Sequence, residues 1–226
     1  MAKPLTPARE FIAPSDLTFG LSTCKRCLWI KYWYKLIMPG QFPLVGTLAE
    51  SQEEHFRRAS MQDIDPTLQP GVVKQWGQWV RSDYIKVDGA TTRWRINGKY
   101  DLVAHYEDGS IGLIDCKVTD SDRHNGAFYA PQLEAYAFAL EHPSTGKAFT
   151  VATMGLLVWN LNGVAENADA SYGFGVNQSY LPVERDQEGF TTVISDFIRL
   201  LEADMPAAGS ECPTCNYLLE RLQIED

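Results

Sequence analysis

The segment 98–118 constrains this chain most. Gly98-Lys99-Tyr100-Asp101 opens an apolar run, Asp108-Gly109 turns the chain, and IGLIDCKV returns over 111–118. An Asp-Gly pair between two apolar stretches is a strong hairpin signal. The segment therefore predicts strands over 93–106 and 111–118, with Asn97-Gly98 as a bulge or tight bend in the first. Asp115 and Lys117 are two residues apart and project to the same face of their strand. The turn returns Asp115 to the neighbourhood of Asp101. Two carboxylates and one ammonium thus meet at one sheet edge.

Carboxylates that close repel and hold a proton unless a cation sits between them. An all-oxygen site suits Mg²⁺ or Mn²⁺. Such an ion polarises a phosphoryl oxygen and lowers the pKa of bound water. Lys117 can then orient that water or meet the charge developing on phosphorus. An isolated Asp-x-Lys reads as a surface ion pair. Here the preceding Gly-x-x-Asp, the hairpin spacing and the apolar strand coincide, and a metal site is the better reading. The side chain of Cys116 points to the opposite face, into the core, while its backbone carbonyl can supply a further metal ligand.

The rest of the chain predicts a mixed α/β domain. CKRCLWIKYWYKLI over 24–37 reads as a helix stopped by Pro39-Gly40, and 46–60 reads as a second helix. A strand is expected over 72–87, with a turn at Asp88-Gly89. Then follow the hairpin, an amphipathic helix over 129–141, and a strand over 151–160. A polar loop, a strand near 175–183 and a helix over 188–204 complete the order. The aromatic residues after Cys27 (Trp29, Tyr32, Trp33, Tyr34) interleave with Lys31 and Lys35. They read either as a strand-binding platform or as core with a solvated edge.

Cys24-Lys-Arg-Cys27 and Cys212-Pro-Thr-Cys215 are two Cys-x-x-Cys pairs at opposite ends of the chain. Each pair can chelate one metal centre, and four thiolates suit either Zn²⁺ or an iron–sulfur cluster. Cys116, inside the catalytic strand, is excluded from that set.

The run GKYDLVAHYEDGSIGLIDCKVTD resembles the core of the RecB-like branch of the PD-(D/E)xK nucleases, as found in AddB and the CRISPR-associated RecB-like proteins. YAPQLEAY over 129–136 is similar to that branch's Q-x-x-x-Y helix, which places Gln132 and Tyr136 near metal and substrate. Tyr100 stands where relatives often carry proline. Gly46-Thr-Leu-Ala-Glu50 occupies the place of a G-x-x-x-H element. The resemblance therefore implies Glu50 as a third metal ligand, with His55 as an outside candidate.

It further implies a restriction-endonuclease-like core, a mixed central sheet flanked by helices, spanning 1–226 as a single domain. Segments 20–40 and 205–226 would form a cysteine lobe, held in such relatives by a [4Fe–4S] cluster, with Zn²⁺ as the alternative. Relatives usually place one cysteine early and three late, whereas this chain splits them two and two. The implied activity is metal-dependent DNA hydrolysis, exonuclease-like on single strands or ends, in repair, recombination or phage and CRISPR DNA processing. The competing expectation is a catalytically silent fold that binds DNA or serves as a scaffold.

Composition agrees with a full core: 45% of the 226 residues are hydrophobic. The net charge of −9 argues against a passive nucleic-acid coat. It leaves a nuclease open, because a bound cation reverses the local sign, and a protein partner could supply part of the DNA grip. No run of 18 apolar residues exists to span a membrane, and the first residues lack the apolar centre of a secretory signal. A cytoplasmic protein with reduced thiols is expected.

Overall fold

The computed structural model describes residues 3–37, 43–119 and 126–225. The expected Pro39-Gly40 stop lies outside them. The elements in chain order are β1 (Phe11–Ile12), a 3₁₀ turn (Pro14–Leu17), α1 (Lys25–Tyr34), α2 (Pro43–His55), α3 (Met61–Ile64), β2 (Gly71–Arg81), β3 (Lys86–Val87) and β4 (Ala90–Thr91). Then come β5 (Arg95–Tyr106), β6 (Ile111–Thr119), α4 (Gly126–Glu141), β7 (Val151–Glu166), β8 (Tyr172–Val183), α5 (Gln187–Glu202) and α6 (Pro213–Glu225).

A six-stranded mixed sheet forms the centre, in the order β1-β5-β6-β7-β8, with β2 also on β5. β2, β5 and β6 make the antiparallel meander. β6 and β7 are parallel, so the chain must cross over between them, and α4 is that crossover. One face of the sheet packs with α1, α4 and α5 around Trp29, Tyr32, Leu133, Leu140 and Phe197. The other packs with α2 and α3 around Phe56, Met61, Ile64, Leu102, Ile114 and Cys116. This is the expected mixed α/β layout, with helices on both faces. No helix among the described residues is long and apolar enough to cross a membrane.

Several local expectations need correction. The strand expected over 72–87 breaks after Arg81. The Ser82 and Asp83 amides donate to the carbonyls of Ile96 and His142, and the chain leaves to form the small β3–β4 hairpin. Gly98 makes no bulge; β5 runs straight through it. A Cβ there would lie 2.7 Å from Pro14 and 2.8 Å from the Tyr136 ring, so glycine permits a close approach. The polar loop expected after 160 is a two-stranded ribbon instead, because β7 and β8 stay paired out to Glu166 and Tyr172. Tyr172, Phe174 and Val176 alternate with glycines along it, yet all three side chains are exposed, so the alternation marks no core face.

The platform reading of α1 fails. Trp29, Tyr32 and Trp33 are buried, and the two indole N–H groups donate to the carbonyls of Ala203 and Leu201.

Candidate active site and four-cysteine cluster

β5 and β6 pair only from Leu102 opposite Ile114 to His105 opposite Ile111. Beyond that point β5 continues along β2 and β1, while β6 continues along β7. The two strands part, and the gap between them receives polar side chains. Asp101 Oδ2 accepts the Cys116 backbone N–H at 2.7 Å. Asp115 is buried on the α4 side of β6. Its Oδ1 accepts from Gln132 Nε2 at 2.8 Å, and its Oδ2 lies 2.5 Å from Lys117 Nζ.

Two residues on α4, one helical turn apart, reach this gap. Gln132 meets Asp115, and Tyr136 donates its hydroxyl to the Lys99 carbonyl at 2.8 Å. Lys117 Nζ also sits 4.9 Å from the centre of the Tyr129 ring. Phe19 and Phe128 pack edge-on to that ring, making an aromatic wall beside the lysine.

The electrostatics are those of crowded carboxylates in a dry place. Burial, then the charge of Asp115, pushes Asp101 up to about 8, against the pull of Lys117 and the Cys116 amide. Burial also raises Asp115, although Lys117 and Gln132 oppose it. For Lys117, burial disfavours the charge, but Asp115 and Asp101 outweigh it and raise its pKa. The Cys116 thiol is pushed well up by burial in the opposite core, as expected for a bystander.

α2 supplies a carboxylate that the sequence reading did not single out. Glu50 is exposed. Glu53, one turn later, is mostly covered and lies 3.8 Å from Lys99. Burial raises its pKa, and its charge reaches Asp101, Cys116 and Tyr136. His55 is turned away, its ring packed against Phe56 and Trp159. Glu50 and Glu53 share a helix side at i, i+3 spacing. Of the two, Glu53 lies closer to the gap and Glu50 is the more exposed.

Asp101, Asp115 and Glu53 carry oxygen donors of the kind a hard divalent cation takes, each with a raised pKa that a cation would relieve. Beside this gap a groove of about 550 Å³ is lined by Arg9, Lys35, Trp79, Lys99 and Tyr136, among others. Trp79 is 70% exposed there.

Away from the carboxylates, Cys24, Cys27, Cys212 and Cys215 come together, joining the N-terminal and C-terminal regions. Their sulfurs lie within 4.8 Å of one another, an arrangement able to hold a metal. Cys24 opens α1 and Cys212 immediately precedes α6. Burial works against ionisation of Cys24, but the backbone N–H groups of Cys27, Gly209 and Arg26 bring its thiol down to about 6.

A family model described as the PD-(D/E)XK nuclease superfamily matches residues 25–218. No curated protein matches the chain in sequence. Among solved structures, the crystal structure of SSO0001 superposes with a TM-score of 0.53 at 16% identity. The match covers 88% of this chain and 79% of that one, and it is a likeness of fold.

Proposed function

Because the chain belongs to the PD-(D/E)XK nuclease superfamily, we propose that it is a Mg²⁺- or Mn²⁺-dependent deoxyribonuclease acting on single strands or DNA ends. The observation that carries this reading is the gathering of Asp101, Asp115, Lys117 and Gln132 where β5 and β6 part. Asp101, Asp115 and Glu53 would hold the cation, with the Cys116 carbonyl as a further donor. When bound, the ion polarises the scissile phosphate and acidifies a water.

The chain's own residues do the rest. Lys117 keeps its proton near neutral pH, because the neighbouring carboxylates raise its pKa. It serves as a positive charge for the attacking oxygen and the developing phosphorane. Gln132 fixes the orientation of Asp115, so that the other carboxylate oxygen faces Lys117. Tyr136 ties α4 to the Lys99 carbonyl and sets the floor of the groove. The groove's lysines and arginine suit phosphates, and exposed Trp79 suits an unstacked base, which favours a single strand. Gln132 and Tyr136 also support placing the chain in the RecB-like branch.

The test is cleavage of end-labelled single- and double-stranded DNA with Mg²⁺ or Mn²⁺, comparing wild type with Lys117→Ala. Metal-dependent cleavage by wild type, reduced about 10²–10⁴-fold in the variant, is expected. Equal cleavage by both would remove Lys117 from the site. Absence of cleavage by either folded protein would favour a DNA-binding or scaffold role.

A further inference from the structure

The resemblance that led to the nuclease reading also implies a [4Fe–4S] cluster on the cysteines, and the cage they form does not fit one. Cys24 and Cys215 sulfurs are 3.9 Å apart, Cys27 and Cys212 are 3.7 Å apart, and Cys27 and Cys215 are 3.6 Å apart. All four fall within 4.8 Å of one another. Four thiolates around a single ion at a metal–sulfur distance of ~2.3 Å form a tetrahedron whose edges are ~3.8 Å. These three separations lie close to that value.

In a four-iron cube each cysteine binds its own corner and points outward, so the thiolate sulfurs stand roughly 6 Å apart. A cage only 4.8 Å across cannot enclose that cube. A two-iron cluster fails for a different reason. Its short sulfur–sulfur contacts come as two separate pairs, one pair per iron. Here Cys215 is close to both Cys24 and Cys27, and Cys27 is also close to Cys212, so the short contacts link all four residues.

We propose that Cys24, Cys27, Cys212 and Cys215 hold one Zn²⁺ ion in a closed tetrahedral tetrathiolate site. The surroundings suit an ion with no open position. The Gly209 amide donates to Cys24 Sγ at 3.3 Å, and the Cys215 amide to Cys212 Sγ at 3.4 Å, offsetting the charge of four thiolates on a divalent ion. A Cβ at Gly209 would lie 3.4 Å from Cys24 Sγ, so the chain runs within van der Waals reach of the cage. The ion's work is mechanical. It fastens the start of α1 to the start of α6, beside the place where Trp29 and Trp33 grip the chain leaving α5. The closed loop spans most of the chain, where a clip constrains the unfolded state strongly.

The full chain, expressed with both iron and zinc supplied and purified anaerobically, is assayed for zinc, iron and acid-labile sulfide and scanned for visible absorbance. One zinc per chain, no sulfide and no colour are expected. Exchange with Co²⁺ should bring up the intense visible bands of a tetrahedral thiolate site, and those bands should saturate at one cobalt per chain. Cys116→Ser should keep that stoichiometry, and Cys215→Ser should weaken cobalt binding at least about tenfold. A brown protein with iron and sulfide, a single iron without sulfide, or a chain that takes up neither zinc nor cobalt overturns the proposal. Should Cys215→Ser fail to fold, the wild-type metal content and the cobalt spectrum decide alone. None of these readings passes through a nuclease assay.

Discussion

Asp101 Oδ2 takes the Cys116 backbone N–H at 2.7 Å just past the last paired residues of β5 and β6, Leu102 and Ile114. A side chain thus satisfies an amide that continued strand pairing would have claimed. The carboxylate is anchored where the two strands separate.

That anchoring has a cost in the absence of metal. Asp101 is raised to about 8 from 3.8, chiefly by burial and then by Asp115. Between those values the folded chain keeps a proton that the unfolded chain has released. Stability contributed by this group therefore falls as pH rises from about 4 to about 8. Asp101→Asn removes the titration and keeps an acceptor for the Cys116 amide. In chelator, the variant should melt at the wild-type temperature near pH 4 and several degrees higher near pH 8, followed by circular dichroism. Added Mg²⁺ should raise only the wild type, and the variant should lose metal-dependent cleavage. A melting difference independent of pH would show that Asp101 is not held protonated.

The α2 carboxylates separate two ligand assignments. Glu53→Ala should raise the Mg²⁺ or Mn²⁺ concentration for half-maximal cleavage by about tenfold or more. Glu50→Ala, on the exposed side, should change it less than about twofold. The opposite ranking would return the third ligand to Glu50. Lys99 loses its ion-pair partner in the Glu53 variant, so the metal titration is the readout, not the rate at a single metal concentration.

The sequence places Asp101, Asp115 and Lys117 together but does not single out Glu53, and the difference is one of range. The strand pair is local: a turn, a two-residue alternation and a few intervening residues place three charges together. Gln132 follows within one crossover. The face of α2 that meets the gap depends on how that helix seats across β6, and helical spacing alone cannot distinguish positions 50 and 53. The β7–β8 ribbon was hidden for the opposite reason. The Tyr172, Phe174 and Val176 alternation has no core to face, and cross-strand pairing and contacts such as Asn162 to Asn177 define the ribbon. Trp29 and Trp33 had the composition of a binding platform, and only the carbonyls of Leu201 and Ala203, far along the chain, identify them as core.

Arg185 is the test of what holds the crossover in place. Its Nε donates to Glu134, its two terminal nitrogens to Glu141, and one of them also to the Val151 carbonyl. The Glu134 side chain is only 3% exposed. Arg185→Ala leaves that carboxylate buried with the Asp186 amide as its remaining partner in this network. A loss of about 3–5 kcal/mol in urea unfolding is expected. Arg185→Lys should recover less than half of it, because an ammonium cannot span both carboxylates. Recovery to wild-type stability by lysine would mean that charge alone, not the fork, is required.

Gly98 couples the fold to the site through one contact. A methyl group at this position would press on Pro14 at 2.7 Å and on the Tyr136 ring at 2.8 Å. Both belong to the packed surroundings of the groove, and Tyr136 also holds the Lys99 carbonyl. Gly98→Ala should cost about 1–3 kcal/mol by overpacking and should lower the cleavage rate further by shifting Tyr136. Gly109→Ala is the control. It sits at φ +85° with open space around it, so its strain is confined to the hairpin turn. That variant should lose about 1 kcal/mol and cleave at the wild-type rate once folded. If both variants lose stability but neither loses rate under folded conditions, Tyr136 does not position substrate, and its part in the groove is structural alone.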